Sequence, residues 1–192
     1  MDGTTSQRPK PAIKDLIMSE TNQVADTQPA EARVPADAFR HALGHFATGI
    51  TVISAVDAQG KPYGATVSSF SSLSLDPPLI QWSLTTKSYS YPIFSQAKHF
   101  AVNILASDQE DVSRTFCKPI DRFSRVESLV GLEGLPLVAG CLGWIECSLE
   151  REIEAGDHTI FVGRVMRTRV ADKSPLVHWR GCYHPLEVDP VC

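Results

Sequence analysis

The sequence lacks any segment of the kind that crosses a membrane or directs secretion. Its apolar runs stay well short of the roughly 18 residues that a membrane-spanning helix needs. Residues 1–20, MDGTTSQRPKPAIKDLIMSE, contain no apolar core like that of a signal peptide. Acidic side chains outnumber basic ones by 22 to 18, so no excess of positive charge favours nucleic acid binding. We therefore expect a cytoplasmic protein that binds neither membrane nor nucleic acid.

The sequence also lacks a cysteine pattern typical of metal binding or of a disulfide framework. Its five cysteines are an odd number, and no two of them have CxxC spacing. They are Cys117, Cys141, Cys147, Cys182 and Cys192. A zinc site built on Cys141 and Cys147 would need further ligands at zinc-finger spacing, and the sequence offers none. We expect reduced cytosolic thiols and no metal site.

The short motifs of several enzyme classes are missing too. There is no GxGxxG turn, Walker loop, HExxH helix or GxSxG elbow. A Ser-His-Asp triad stays open, but the adjacent Asp157 and His158 should not form its Asp–His half, because neighbouring strand residues point to opposite faces. Nothing in the spacing of the carboxylates favours glycosidase chemistry.

The residues that are present predict one domain preceded by a tail. Residues 1–33 are polar and aperiodic, which is typical of a tail. Residues 34–192 are numerous enough to bury a core. A helix is predicted from Pro35 to about Thr48. Its apolar face is formed by residues at helical spacing, Phe39, Ala42, Leu43 and Phe46.

Most of the domain has the residue patterns of strands. Apolar runs or alternating patterns predict strands at 50–56, 63–75, 79–84, 100–105, 142–150, 158–170 and 176–183. Short helices are predicted at 89–97 and after Ser107, where Glu110 would complete a capping box. Residues 117–136 predict a long loop or lid. The fold class is therefore mainly β with short helices, a β-barrel with helical additions.

The most informative stretch is Tyr63–Pro78, YGATVSSFSSLSLDPP. Six hydroxyl side chains lie between Thr66 and Ser74, and no charge occurs before Asp76. Small hydroxyls and approachable backbone amides suit a polar, flat, phosphate-bearing ligand. The alternative is a plain serine-rich strand and turn. We expect one strand, with a bulge near Ser69 that re-aims the side chains.

A second candidate is the turn Gly156-Asp157-His158, which ends in an imidazole at the start of a strand. Such a turn is also what a simple hairpin corner with an Asx-type bond would need. The functional interpretation is a histidine that holds a polar ligand at the rim of the barrel.

Taken together, these segments resemble the flavin reductase components of two-component flavin-dependent monooxygenases, the short-chain NAD(P)H:flavin oxidoreductases. The resemblance covers roughly residues 39–185 and rests on six segments in order. They are FRHALGHFATGITVISA, GATVSSFSSLSLDPPL, TTKSYSYPIF, HFAVNILASDQEDVSRTF, AGDHTIFVGRV and PLVHWRGCYHPL. It implies an FMN-binding split β-barrel, usually a homodimer with flavin near the subunit interface.

The resemblance also implies which residues bind the cofactors. Flavin would contact Thr66, Val67, Ser68, Ser69, Ser71, Ser72 and Leu73. Lys87 and Ser88 would meet the flavin phosphate region, and Arg122 and Phe123, with Asp121, the phosphate or an adenosine end. His158 would seat the nicotinamide nucleotide, with Tyr183 a weaker candidate for the same place.

The implied activity is NAD(P)H-dependent reduction of FAD or FMN, by hydride transfer from nicotinamide C4 to flavin N5. The reduced flavin would then pass to a separate oxygenase. Because the cofactors carry the reactivity, such an enzyme needs no nucleophile or acid–base pair of its own. Two alternatives remain at this point, a flavin carrier without turnover and a split-barrel oxidase of a small substrate such as a pyridoxine phosphate. The GDH turn and the DPPL sequence argue against the oxidase.

Overall fold

A computed structural model describes residues 34–186, and the predicted tail at residues 1–33 lies outside this range. The described part contains three α-helices, α1 Ala36–Leu43, α2 Tyr91–Phe94 and α3 Glu110–Phe116. Its strands are β1 Thr48–Gly49, β2 Thr51–Val56, β3 Pro62–Val67, β4 Ser71–Leu75, β5 Pro78–Thr85, β6 His99–Ile104, β7 Ser128–Val130, β8 Pro136–Val138, β9 Gly143–Ala155, β10 His158–Val170, β11 Leu176–Trp179 and β12 Cys182–Pro185. The predicted mainly β fold class with short helices is confirmed.

Seven strands form one antiparallel sheet in the order β3-β2-β6-β9-β10-β5-β4. The edge strands β3 and β4 are separated in sequence by only three residues, 68–70. That connection reaches about 15 Å at most, whereas a flat sheet of seven strands is about 29 Å wide. The sheet therefore curls until its two edges lie side by side, which makes it a barrel.

Apolar side chains from the strands fill the inside of this barrel. Trp82 lies at its centre, stacked on Phe161 with ring centroids 4.4 Å apart and packed edge-on against Phe94 and Phe100. The same cluster includes Ile53, Ala55, Ala65, Val67, Ile80, Leu84, Val102 and Cys147. The packed interior leaves the outer face and the rim of the barrel for a functional site.

The hydroxyl-rich stretch is two strands and not one bulged strand as predicted. Its first half, β3, pairs with β2, and its second half, β4, pairs with β5 at the other edge of the sheet. Ala65 and Val67 are buried as predicted, but Leu73 and Leu75 are 49% and 93% exposed. The alternation is interrupted because the chain changes sheet edge between the two halves.

Helix α1 also differs from its prediction. It ends at Leu43 rather than near Thr48, and none of its residues is buried in the described part of the chain. The apolar residues have helical spacing in the sequence, but Phe39, Leu43 and Phe46 are all more than half exposed. The apolar face is thus exposed in the part of the chain that the structure describes.

Strand β9 contains an acidic residue that is buried despite the alternating pattern of its sequence. The apolar residues Ile145 and Cys147 flank Glu146, which would place Glu146 on the solvent side, yet only 1% of its surface is exposed. Its carboxylate accepts hydrogen bonds from Arg167 at 2.6 and 2.8 Å and from the backbone N–H of Leu132 at 2.5 Å. Burial acts to raise the pKa of Glu146, but these bonds outweigh it and hold the pKa below its ordinary range.

Two local signals were also misread. The capping box at Ser107 does not form, since α3 begins at Glu110 with Gln109 as its N-cap, and the Gln109 side chain accepts a bond from the N–H of Ala106. The last predicted strand is a hairpin, because Arg180 and Gly181 turn the chain between β11 and β12. Among the described helices, none is long and apolar enough to cross a membrane.

Candidate functional site

The outer face of strand β5 carries a row of polar side chains. Ile80, Trp82 and Leu84 are buried in the barrel, so the alternating residues between them point outward. These are Gln81, Ser83 and Thr85. Gln81 and Thr85 form hydrogen bonds through their side chains, and Ser83 does so through its backbone. Their partners all lie in segments that the sequence analysis identified as candidates.

Ser69 is fixed against the middle of this row. Its hydroxyl donates to the carbonyl oxygen of Ser83 and accepts from the N–H of Ser83, both at 2.9 Å. Two positions further on, Gln81 Nε2 donates to the hydroxyl of Ser71 at 3.1 Å. Ser69 therefore acts as a side-chain bridge that holds residues 68–70 on β5. Its own donor is already occupied, which leaves only acceptor capacity for a ligand.

The far end of β5 meets the GDH turn. In the β5–β10 ladder Thr85 lies opposite His158. The carbonyl oxygen of Asp157 accepts from the N–H of Thr86 at 3.0 Å and from the hydroxyls of Thr85 and Thr86 at 3.2 and 3.3 Å. Gly156, at φ +64°, makes the tight hairpin turn possible. The structure thus places Lys87, in the turn after Thr86, beside the GDH turn.

Asp157 and His158 form a hydrogen-bonded pair, contrary to the sequence argument. His158 Nδ1 lies 2.7 Å from Asp157 Oδ1, and both side chains are substantially exposed. The argument from alternating strand faces failed because Asp157 belongs to the turn and β10 begins only at His158. The bond to His158 is the main reason that the pKa of Asp157 is lowered, with Lys87 adding a smaller effect of the same sign.

Arg122 is bonded through buried contacts to β3 and to the segment that carries Ser88. Its NH1 group donates to the carbonyl oxygen of Gly64 and, at 2.7 Å, to the hydroxyl of Ser90. Ser90 in turn donates its N–H to the hydroxyl of Ser88 at 3.3 Å. Burial lowers the pKa of Arg122. Much of its guanidinium is engaged in holding β3 to the segment that carries Ser88.

Next to Ser69 lies an open groove of about 800 Å³. One wall is the segment 68–71, and the other is formed by residues 43–49 together with His178, which pairs with Thr48 between β11 and β1. Ser68, Ser72 and Leu73 are exposed on or beside the first wall. We call this space, together with the polar row of β5 and the two turns at its end, the rim site.

Four of the predicted cofactor residues are engaged in contacts within the fold. Thr66 donates its hydroxyl to the carbonyl oxygen of Ser113 in α3 at 2.7 Å, and Val67 is buried in the core. Phe123 packs edge-on against Phe116 with centroids 5.0 Å apart. Tyr183 bonds through its hydroxyl to that of Ser113 at 2.8 Å. These contacts are ones that stabilise the fold around α3.

Sequence reasoning missed several residues that build the rim site. Ser83, Thr85 and Thr86 provide the bonds that join the segments, and Asp157 holds the imidazole of His158. Alternation along β5, with hydroxyls between large apolar residues, was a readable signal for Ser83 and Thr85. The contribution of His178 depends on a pairing between distant strands, which no local pattern indicates.

The sequence matches the description "Flavin reductase like domain" over residues 43–187, about three quarters of the chain. The chain belongs to the flavin reductase-like domain family. It is 46% identical over 147 residues to a probable flavin reductase of Rhizobium meliloti strain 1021, covering 76% of this chain and 47% of that protein. It is 40% identical over 146 residues to the reductase component of a flavin-dependent trigonelline monooxygenase of Acinetobacter baylyi, again covering 76% and 47%. The chain thus spans about half the length of these two curated relatives.

A solved structure agrees with this assignment to the flavin reductase-like family. The NADH:FAD oxidoreductase SgcE6 of Streptomyces globisporus superimposes with a TM-score of 0.77 at 33% identity, over 84% of this chain and 99% of that one. The predicted family and the predicted split-barrel fold are therefore confirmed. The individual cofactor contacts remain predictions.

The polar and apolar groups of the rim site are of the kinds that suit a flavin. Hydroxyls and backbone groups of the segment 68–71 can bond to the polar edge of an uncharged ring, while apolar Phe46 and Phe70 in the same groove offer surface to its faces. Lys87 is exposed near the end of the row and can meet a phosphate. Among the described residues no cluster suited to a metal ion occurs.

Proposed function

We propose that this protein catalyses hydride transfer from a reduced nicotinamide nucleotide to flavin, and that the reduced flavin serves a separate oxygenase. The observation that carries the proposal is that strand β5 joins the hydroxyl segment 68–71 to the turns at residues 85–88 and 156–158, in a member of the flavin reductase-like family. The proposed flavin-contacting wall, residues 68–71, and the proposed nicotinamide-contacting turn, residues 156–158, then lie along the same strand.

When bound, flavin supplies the ring that accepts the hydride. The protein's own part is binding and orientation. Ser68, Ser71 and Ser72 provide hydrogen-bonding groups to the ring edge, and Lys87 provides positive charge for a phosphate. His158 stands at the end of the row, where it can hold the nicotinamide end of the donor against the flavin-contacting wall.

The name of SgcE6 specifies NADH and FAD, and both choices transfer to this chain as proposals. The decisive experiment is catalytic. Purified protein is mixed with NADH and an excess of free FAD or FMN, and the loss of NADH absorbance is followed. Many turnovers per protein molecule support the reductase. Flavin binding without NADH oxidation would instead identify a carrier and overturn the proposal.

One substitution tests the role given to the GDH turn. We expect His158→Ala to raise the KM for NADH about tenfold, roughly the loss of one or two hydrogen bonds, with little change in the dissociation constant for flavin. Steady-state kinetics and flavin titration measure the two quantities separately. Equal damage to both would contradict the assignment of His158 to the nicotinamide side.

We also propose that two copies of the chain associate. Leu43 and Phe46 of the groove wall, with Leu73 and Leu75 of edge strand β4, are large apolar side chains about half or more exposed. A second copy seated on them would bury this surface and would enclose the open groove. Analytical ultracentrifugation should give a dimer mass, and Phe46→Glu should shift it to that of a monomer.

The oxygenase partner is proposed from the name of one relative, the reductase component of a monooxygenase. A diffusing reduced flavin needs an open site from which it can leave, and the groove is open in the single chain. Increasing the concentration of free FAD or FMN should therefore speed NADH oxidation until the rate saturates. A rate independent of added flavin would contradict release.

A further inference from the structure

The backbone and the side chain of Asp157 have separate contacts. The carbonyl oxygen accepts three bonds from Thr85 and Thr86, as described above, and these fix the position of the residue whatever its side chain does. The carboxylate is left for His158, whose Nδ1 lies 2.7 Å from Oδ1. A change of the side chain alone should therefore leave the turn in place.

The bond assigns a proton to a particular ring nitrogen of His158. An ionised carboxylate can only accept hydrogen bonds, so Nδ1 must carry the hydrogen. In a neutral imidazole the other nitrogen then has none, and Nε2 presents a lone pair. The side chain is about half exposed, so Nε2 can meet a ligand at the end of the polar row.

We propose that Asp157 is a positioning residue that fixes His158 in the Nδ1–H form, so that Nε2 accepts a hydrogen bond from the carboxamide N–H of the nicotinamide. This rests on the proposed function and goes beyond it by naming the ligand group that the histidine recognises. An outward acceptor suits an amide donor and repels a phosphate oxygen. The phosphates are left to Lys87 in the neighbouring turn.

The tautomer can be measured without any substrate. Protein labelled with ¹⁵N in its histidines is examined by long-range ¹H–¹⁵N NMR about two pH units above the ordinary imidazole pKa of ~6.5, with the His158 signals assigned through His158→Gln. Protonated and unprotonated ring nitrogens give well-separated signals. We expect Nδ1 to be protonated in the wild type and in Asp157→Asn, whose amide oxygen can still accept. In Asp157→Ala the proton should move to Nε2.

The ligand group is tested with a donor that lacks the amide hydrogen. Reduced 3-acetylpyridine adenine dinucleotide carries a methyl group where NADH has the amide nitrogen. We expect wild type to show a KM ratio, analogue over NADH, about five- to tenfold larger than Asp157→Ala does, which is the effect of one hydrogen bond. The intrinsic difference between the two donors cancels in this comparison. Asp157→Asn should keep most of the wild-type ratio.

The control is Glu150→Ala, which removes an exposed carboxylate that pairs with Arg164 in the same β9–β10 ribbon, at 2.9 Å. It should change neither the His158 signals nor the KM ratio. An Nε2–H or doubly protonated ring in the wild type would overturn the proposal, as would an unchanged KM ratio in Asp157→Ala. Absence of NADH oxidation would overturn the proposed function and with it the nicotinamide ligand, whereas the tautomer of His158 is decided by the NMR result, which does not depend on activity.

Discussion

The two halves of the hydroxyl-rich stretch have similar residues and opposite environments. In β3, Thr66 is half-buried and its hydroxyl is bonded to the carbonyl oxygen of Ser113, while Ala65 and Val67 lie in the core. In β4, four of the five residues are exposed. Ser69 lies between the halves, and its hydroxyl donates to the carbonyl oxygen of Ser83 and accepts from the N–H of Ser83. The same residue type therefore has a fold-stabilising role in one half and is accessible in the other.

Hydroxyl side chains therefore indicate a ligand site only where they are not already hydrogen-bonded within the protein. The donor of Thr66 is consumed by α3, and that of Ser69 by β5. Ser68 and Ser72 are exposed to solvent. We therefore expect substitutions in β3 to change stability and substitutions in β4 to change flavin binding.

The largest effect is expected from Gly64→Ala in β3. A Cβ atom there would lie 2.5 and 2.7 Å from ring atoms of Phe116, which is itself buried. Such overpacking should lower the free energy of unfolding by about 3 kcal/mol, measured from urea unfolding curves. The matched control is Gly49→Ala, where the added Cβ meets no atom within 4 Å. Equal stability of the two variants would contradict the tight β3–α3 contact.

The next largest effect is expected from Ser69→Ala, which acts at the junction of the halves. Two hydrogen bonds to Ser83 are lost, so the segment 68–70 should loosen from β5 and flavin binding should weaken by about 2 kcal/mol. Flavin titration measures this, and faster hydrogen exchange at the Ser83 amide should accompany it. Ser71→Ala, which removes a single bond from Gln81, should have a smaller effect on both.

Local patterns predicted the elements well where they were long and regular. The hairpin of β9 and β10, the buried strand β2 and the end of β4 at Leu75 all follow from residues next to one another in sequence. The family resemblance added the closure into a split barrel. Long strands impose one period on many residues, which makes them easy to recognise.

The errors occur where contacts between distant residues decide the outcome. Glu146 fits the polar side of an alternating strand, but Arg167 and Leu132 cover it. The apolar face of α1 looks like a core-facing stripe, yet nothing in the described residues buries it. The Asp157–His158 pair depended on where the turn ends and the strand begins, a boundary that sequence fixes only within a few residues.

A smaller effect, on stability alone, is expected from Thr66→Val. The substitution keeps the shape of the side chain and removes the hydroxyl that donates to the Ser113 carbonyl. The free energy of unfolding should fall by about 1 kcal/mol, and flavin affinity should stay unchanged. A clear loss of flavin affinity in a variant of normal stability would place Thr66 in the site, as the family resemblance implies.

The smallest effect is expected from Ser72→Ala in β4, and it should fall on flavin binding and not on stability. Ser72 is exposed and lies opposite Ile80 in the ladder with β5. Removing its hydroxyl should weaken flavin binding by up to about 1 kcal/mol, one hydrogen bond, with unfolding unchanged. Flavin titration and urea unfolding of the same preparation measure the two quantities. If Ser72→Ala lowers stability as much as Thr66→Val and leaves flavin affinity unchanged, the accessible half of the stretch is part of the scaffold and the flavin wall must lie elsewhere.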